Sequence, residues 1–404
     1  MADSDFICDN HFIYVFELIL KNPNLIYNIR HLNFGHGKIT FDKMTKNCHS
    51  FLKFLCISCN SISSLYFYLS TYVDNALNDK YLPQLINSQH NLKKILFGYS
   101  NFTLYNSLLS LKNSNCSNTL VTIIFYYIDF ESIDILKEVF EQLNALESIH
   151  LICCYSLNAN FIRQIVNINK PFKLKSLILI NEKLNIESLQ LLFQKSSDYL
   201  ENFGSLYRLN ESELLLESIM KYCNKIKILE VNARLNNQDI YQVFNLINNI
   251  QQNLNYLSIN VISVINYRNQ QTDYFELSSI ILLNLGQILP FKLEYLNLRL
   301  VINPNDLEVF LKNSQNTIIK KLVITNIQYQ TWDILPYIKY VKKYIFKKKR
   351  VEYLAIKEVS WPSRVGKELF SLKDEMKEFK LHNIQVLRFD DLYIDFCDFI
   401  KEID

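Results

Sequence analysis

The sequence predicts an α/β solenoid: an irregular horseshoe with short parallel strands on its concave face and helices on its convex face. Three observations predict it. A short apolar core, L-x-x-L-x-L with Ile, Val or Phe allowed, recurs along the whole chain. Successive copies start 26 to 39 residues apart. The stretches between them carry helical periodicity.

The copies run "IRHLNF" (29–34), "ISSLYF" (62–67), "LKKILF" (92–97), "LVTIIF" (120–125), "LESIHL" (146–151) and "LKSLIL" (174–179). A degraded "LENFGS" (200–205) precedes "IKILEV" (226–231), "LNYLSI" (254–259) and "LEYLNL" (293–298). "IKKLVI" (319–324), "VEYLAI" (351–356) and "IQVLRF" (384–389) complete the set. In each core the first, fourth and sixth residues point inward and those between point outward. One such unit cannot bury its apolar face alone; stacked neighbours can.

Helices are expected between the cores at "ESIDILKEVFEQL" (131–143), "IESLQLLFQKSSD" (186–198), "IYQVFNLINNI" (240–250) and "DLEVFLKNSQN" (306–316). Asp129 and Asn305–Asp306 stand where N-caps belong. The organisation expected is an N-terminal helical cap over 1–28, an array of about 13 repeats over 29–389, and an acidic C-terminal cap over 390–404. Solenoids need such polar caps on their end repeats.

Composition narrows the function classes. The chain has 404 residues, 49% hydrophobic and 21% charged, enough to bury a large core. Its 43 basic and 40 acidic residues leave a net charge of +3, too balanced for nucleic-acid binding by bulk charge. With 6 Gly and 7 Pro, Gly-rich phosphate loops are disfavoured. The opening "MADSDFICDN" carries no basic-then-apolar leader, and the nine Cys are odd in number and scattered. Both features point to a reducing cytoplasmic or nuclear compartment. No apolar run approaches the ~18–20 residues of a membrane span.

"CNSISSLYF" (59–67) and "CNKIKILEV" (223–231) share one pattern. The first also closes a Cys-x-x-Cys pair, Cys56 and Cys59, with Cys48 and His49 upstream. Zinc would need two further ligands at close range, and Cys48 and His49 lie on the intervening helix. Cys59 and Cys223 instead occupy a slot three residues before the strand core, filled elsewhere by Gln89, Gln251 and Asn316. They read as buried thiols, and no metal or cofactor is expected.

Other motifs yield to structural readings. "FGHGKIT" (34–40) has Leu32 and Ile39 where a phosphate loop needs Gly and Ser or Thr. No nucleophile elbow, H-E-x-x-H pair or Ser/His/Asp grouping is present, so no enzyme is expected. "KYVKKYIFKKKR" (339–350) holds the one pronounced charge cluster, with a candidate basic patch at Lys342, Lys343, Lys347, Lys348, Lys349 and Arg350. The spacing of Ile338, Val341 and Ile345 favours a solvated helix with a buried apolar face.

The repeat resembles the leucine-rich-repeat family over nearly the whole chain, in its ribonuclease-inhibitor-like and cysteine-containing branches. That family often places Asn or Cys at the eighth core position. Here only Cys153, Asn181 and Asn326 do so; Tyr99, Tyr127, Ala233 and Leu300 stand there elsewhere. Uneven curvature follows from that irregularity.

In this architecture outward strand residues form the binding surface. An apolar N-terminal half is expected from Tyr66, Tyr68, Ile124, Tyr126, His150, Ile152, Ile178 and Ile180. A polar C-terminal half is expected from Tyr256, Tyr295, Arg299, Tyr353, Lys357 and Arg388. Exposed Tyr and Arg suit a protein or peptide partner.

Irregular repeats of this length, Cys before the strand core and Asn-rich composition are similar to F-box/leucine-rich-repeat proteins. The resemblance implies a non-enzymatic adaptor that recruits substrates to a ubiquitin ligase, with an F-box docked on a Skp1-type linker. No Leu-Pro opening precedes the first repeat, and residues 1–28 hold a single apolar helix at 11–22. Leu82–Pro83 reads as a local turn between repeats. The alternative expectation is a stand-alone repeat scaffold or inhibitor.

Overall fold

Each of the thirteen apolar cores falls on a β-strand, including the degraded copy. A computed structural model of the chain describes residues 18–19, 21–22, 27–34, 45–68, 75–98, 104–179, 186–205, 212–231, 237–261, 271–328, 335–346, 350–360 and 366–403. These residues form two compact units: residues 1–177 with 187–199, and residues 178–186 with 200–403.

In the first unit, β1 (His31–Phe34), β2 (Ser64–Tyr68), β3 (Lys94–Gly98), β4 (Thr122–Tyr126) and β5 (Ser148–Cys154) pair in sequence order and in parallel. Their fourth core residues line up across the sheet as Leu32, Leu65, Ile95, Ile123 and Ile149. The chain then enters β6 (Leu174–Leu179).

In the second unit, β7 (Asn202–Ser205), β8 (Ile228–Val231), β9 (Tyr256–Asn260), β10 (Lys292–Leu300), β11 (Ile318–Gln328) and β12 (Val351–Ser360) are parallel too. Phe203, Leu229, Leu257, Leu296, Leu322 and Leu354 share one register line. β13 (Gly366–Glu368) runs antiparallel to β12, and β14 (Gln385–Val386) pairs with β12 in parallel.

Helices return the chain between strands, because a parallel crossover needs a long connection. The first unit carries helices such as Thr45–Ser58, Asn75–Ser88 and Ala159–Val166. The second carries Asn237–Ile250, Gln271–Ile288, Pro304–Asn313 and Leu335–Ile345. The fourth-position residues Leu65 to Leu354 are buried at 3% exposure or less, each worth roughly 1.5–3 kcal/mol.

Polar side chains stitch one repeat to the next. Gln89 Oε1 accepts from the Ile62 N–H at 2.9 Å, and its Nε2 donates to the Cys59 carbonyl at 2.8 Å. Asn326 Oδ1 accepts from the Ile302 N–H at 2.8 Å, while its Nδ2 donates to Glu358 Oε1 at 3.3 Å. Such bonds satisfy turn backbone that the sheet ladder leaves open.

The cysteine slot is a packing position. Cys59 and Cys223 are buried, and burial pushes the Cys223 thiol up to about 12. Cys56 donates its thiol to the Tyr81 carbonyl at 3.6 Å, with its pKa raised to about 11 by burial. Residues 45–58 do form the expected intervening helix.

Several local expectations are corrected. Leu82–Pro83 is not a turn but lies inside helix Asn75–Ser88, where buried Leu82, Leu85 and Ile86 outweigh the hydrogen bond lost at Pro83. The helix expected from residue 131 starts at Leu136, and Asp129 instead accepts from the Glu131 N–H in a turn. The cap expected at Asn305–Asp306 is Asn303, whose Oδ1 accepts from the Asn305 N–H at 2.9 Å. Pro304 behind it needs no N–H there and suits the first helical position.

The last repeat slips by one residue. Tyr353, third in its core, pairs with Gln385, second in its own; Leu354 therefore pairs with Val386. A one-residue slip exchanges the faces, so Val386 is buried and Leu387 lies on the outward side with the aromatic cluster described below. The helix at 11–22 and the loop at 35–40 fall almost wholly outside the described residues. No helix among the described residues is long and apolar enough to cross a membrane.

Candidate protein-binding face

The third, fifth and seventh core residues form the outward strand face, and the two units fill it differently. In the first unit this face is buried rather than an exposed apolar patch. Tyr68, Ile124, Tyr126, His150 and Ile152 are at most 7% exposed, and only Tyr66 among the predicted residues there is half-buried. Lys94 holds its ammonium 5.5 Å from the Tyr66 ring centre. Thr122 and Ser148 share a hydroxyl hydrogen bond at 2.9 Å, and His150 Nδ1 lies 2.7 Å from Ser176 Oγ.

A glycine organises the aromatic part of this face. Tyr68, Gly98 and Tyr126 are register partners on three neighbouring strands. A Cβ on Gly98 would stand 2.6 Å from Tyr68 Cδ1. The missing side chain lets Tyr68 lie over β3 and meet Tyr126 edge to face, with centroids 6.2 Å apart.

In the second unit, residues of the C-terminal segment lie on the outward face. Ile228, Tyr295, Val323 and Ala355, all at third or fifth core positions, form one buried cluster with Leu392 and Phe396. Tyr256, Tyr353, Leu387, Phe389, Ile394 and Phe399 pack against it. The segment expected as a terminal cap is therefore spread along the sheet. An alternation of apolar residues at 392, 394 and 396, leading into helix Phe396–Ile403, gives it the face it buries.

Specific contacts hold it. The Ile394 N–H donates to Tyr295 Oη at 3.1 Å. Phe396 meets the Tyr295 ring edge to face at 5.9 Å, and Phe399 meets Tyr256 at 5.1 Å. Asp395 Oδ1 accepts from the Asp398 N–H at 3.1 Å, starting the terminal helix. Upstream, the Phe389 N–H donates to Glu368 Oε2 at 3.0 Å, and Lys357 pairs with Glu368 at 3.3 Å beneath the Phe389 ring.

Glu230, fifth residue of the core at 226–231, lies on β8 and is buried on this same face. Burial, with Asp395 nearby, pushes its carboxyl up to about 8. A Cβ on its register partner Gly204 would stand 2.8 Å from Ile178 Cδ1 and 3.2 Å from Glu230 Cβ, so the glycine leaves room for those two side chains. Burial also holds the Tyr295 hydroxyl well above the ordinary tyrosine range.

The predicted residues are thus sorted. Tyr295 is fully buried with Phe396 against its ring, Tyr256 is half-buried against Phe399, and Tyr353 is half-buried. Arg299 is half-buried on β10. Arg388 lies past the end of β14, pairs with Asp391 at 3.3 Å and lies over the Phe370 ring. Ile178 is buried, and Ile180 lies outside the described residues.

The basic run does not form a free patch in its described part. Ile338, Val341 and Ile345 are buried as their spacing predicts. Lys342 pairs with Glu375 and Glu378, each at 2.6 Å, and Lys343 with Glu308 at 2.7 Å. Arg350 is buried and donates to the Ser314 and Leu311 carbonyls and Ser314 Oγ, at the C-terminal end of helix Pro304–Asn313. Burial draws its pKa down to about 10, so it stays charged at neutral pH. Lys347, Lys348 and Lys349 lie outside the described residues.

No protein-family model matches the sequence, and a search of curated proteins returns no match.

Proposed function

We propose that this chain is a non-enzymatic protein-binding module of leucine-rich-repeat type, the substrate-recruiting part of an F-box/leucine-rich-repeat ubiquitin-ligase adaptor. One observation carries the binding role: the outward strand face of the second unit accommodates a stretch of polypeptide. It does so through aromatic packing and a backbone N–H to Tyr295 Oη. Aromatic residues are enriched at interaction hot spots, and main-chain hydrogen bonds contribute affinity in peptide recognition. Strand–helix units at 26 to 39 residues, stitched by Gln89 and Asn326 at repeat-register positions, support the repeat type.

The adaptor part of the reading rests on the sequence resemblance. Its alternative is a stand-alone scaffold or inhibitor with no ligase link. Immunopurification of the native protein, with mass spectrometry of the co-purifying chains, separates the two. A Skp1-type linker and a cullin are the expected companions of an adaptor. Recovery of other stoichiometric partners without them would leave the scaffold.

A further inference from the structure

The C-terminal segment gives this face a ligand of known chemistry. Residues 387–400 carry Leu387, Phe389, Leu392, Ile394, Phe396 and Phe399 toward the sheet. Between them stand Asp390, Asp391, Asp395 and Asp398, exposed at the surface. The stretch is an acidic peptide with aromatic anchors, short and extended at 393–395 and helical from Phe396.

The receiving surface is built for such a peptide. Tyr256 and Tyr295 stack at 6.2 Å and present a shared aromatic wall to Phe396 and Phe399. Tyr295 Oη offers one acceptor to a passing backbone N–H. Val323 and Ala355, at fifth core positions, pack in one buried cluster with Leu392. Lys357 supplies a cation over the Phe389 ring. The backbone contact reads no side chain, so specificity lies in the aromatic spacing.

We infer that the outward face of the second unit is a docking site for an acidic amphipathic peptide with paired aromatic anchors, and that the chain's own residues 387–403 occupy it as a tethered competitor. This rests on the protein-binding reading above and names the partner's chemistry. A tethered segment competes at an effective concentration on the order of millimolar. An outside peptide must therefore carry better anchors, or the segment must first be loosened. Partner capture and segment release are one equilibrium.

The test uses the full chain and a fluorescein-labelled synthetic peptide of residues 387–404, read by fluorescence anisotropy. Phe396→Ala with Phe399→Ala in the full chain loosens its own segment while leaving the sheet intact. The double variant is expected to bind the peptide at least tenfold more tightly than wild type, and a peptide carrying the same two substitutions should not bind. Hydrogen exchange gives the second readout: excess peptide should accelerate exchange at 389–403 in the wild-type chain and leave β8–β12 protected. Equal peptide binding by wild type and variant would overturn the inference. So would absence of binding, or loss of cooperative folding in the variant, which would make the segment part of the core. None of these readouts involves a Skp1-type linker, so failure here is distinct from failure of the adaptor reading.

Discussion

Tyr295 and Ile394 are 99 positions apart in sequence, and the hydroxyl of one accepts the backbone N–H of the other at 3.1 Å. That bond links the third core residue of β10 to the segment on the outward face. Tyr295→Phe keeps the ring contacts with Phe396 and Tyr256 but removes the acceptor. The expected cost is about 1–2 kcal/mol, with faster amide exchange at Ile394. Tyr295→Ala also removes the packing and should cost about 3–5 kcal/mol. Urea denaturation of both variants checks the difference; equal costs would mean the hydroxyl contributes nothing.

Asn297 tests the covered face. Alternation alone makes it an outward, tolerant position beside inward Leu296. In the structure Asn297 is buried and donates Nδ2 to Ser258 Oγ at 3.0 Å. Asn297→Asp therefore places a carboxylate out of water and should destabilise by about 1–3 kcal/mol. Leu296→Asp should cost several kcal/mol, since it loses core packing as well. A thermal melt of Asn297→Asp indistinguishable from wild type would mean the face is open to solvent.

Glu230 predicts a pH dependence. Its folded pKa of about 8 lies above the ordinary glutamate value of 4.5, because burial disfavours the charged form. The folded state thus holds a proton that the unfolded state gives up, and stability falls as pH rises from about 4.5 to about 8. The slope from this one group is at most about 1.4 kcal/mol per pH unit. Tyr295, Tyr393 and Asp395 face it, with Arg299 beside Tyr393. Glu230→Gln should flatten that slope. Denaturation midpoints across pH 4.5 to 8 for the two proteins measure it, and parallel curves would remove Glu230 as the cause.

Arg350 and the neighbouring lysines should differ sharply. Arg350→Met strips donors from the Ser314 and Leu311 carbonyls, both at a helix end, and should cost about 2–4 kcal/mol. Lys343→Ala breaks an ion pair at the surface and should cost far less, with the difference fading in high salt. Similar losses for both would contradict the burial of Arg350.

Gly98→Ala places a methyl group 2.6 Å from the Tyr68 ring. The expected loss is about 1–3 kcal/mol, accompanied by a changed near-ultraviolet signal from the Tyr68–Tyr126 pair. Combining it with Tyr68→Ala should recover part of the stability, because the obstructing ring is gone.

The sequence by itself determined the repeat. Apolar residues at the first, fourth and sixth core positions need burial on one side of a strand, and their regular return makes each unit complete its neighbour. That local alternation placed strands at all thirteen cores, and the repeat register gave Cys59 and Cys223 their buried packing positions. Helical spacing likewise buried Ile338, Val341 and Ile345. What covers the outward face is a matter of tertiary structure alone. Whether Tyr295 meets water or Phe396 depends on where a segment 99 positions away folds back, and no local periodicity encodes that. The slip that turns Leu387 outward is equally non-local. It is set by the pairing of β14 with β12, which puts Val386 in register with Leu354. The burial of Arg350 follows the same logic: its charge is visible in the run of basic residues, but the carbonyls it satisfies belong to the preceding repeat.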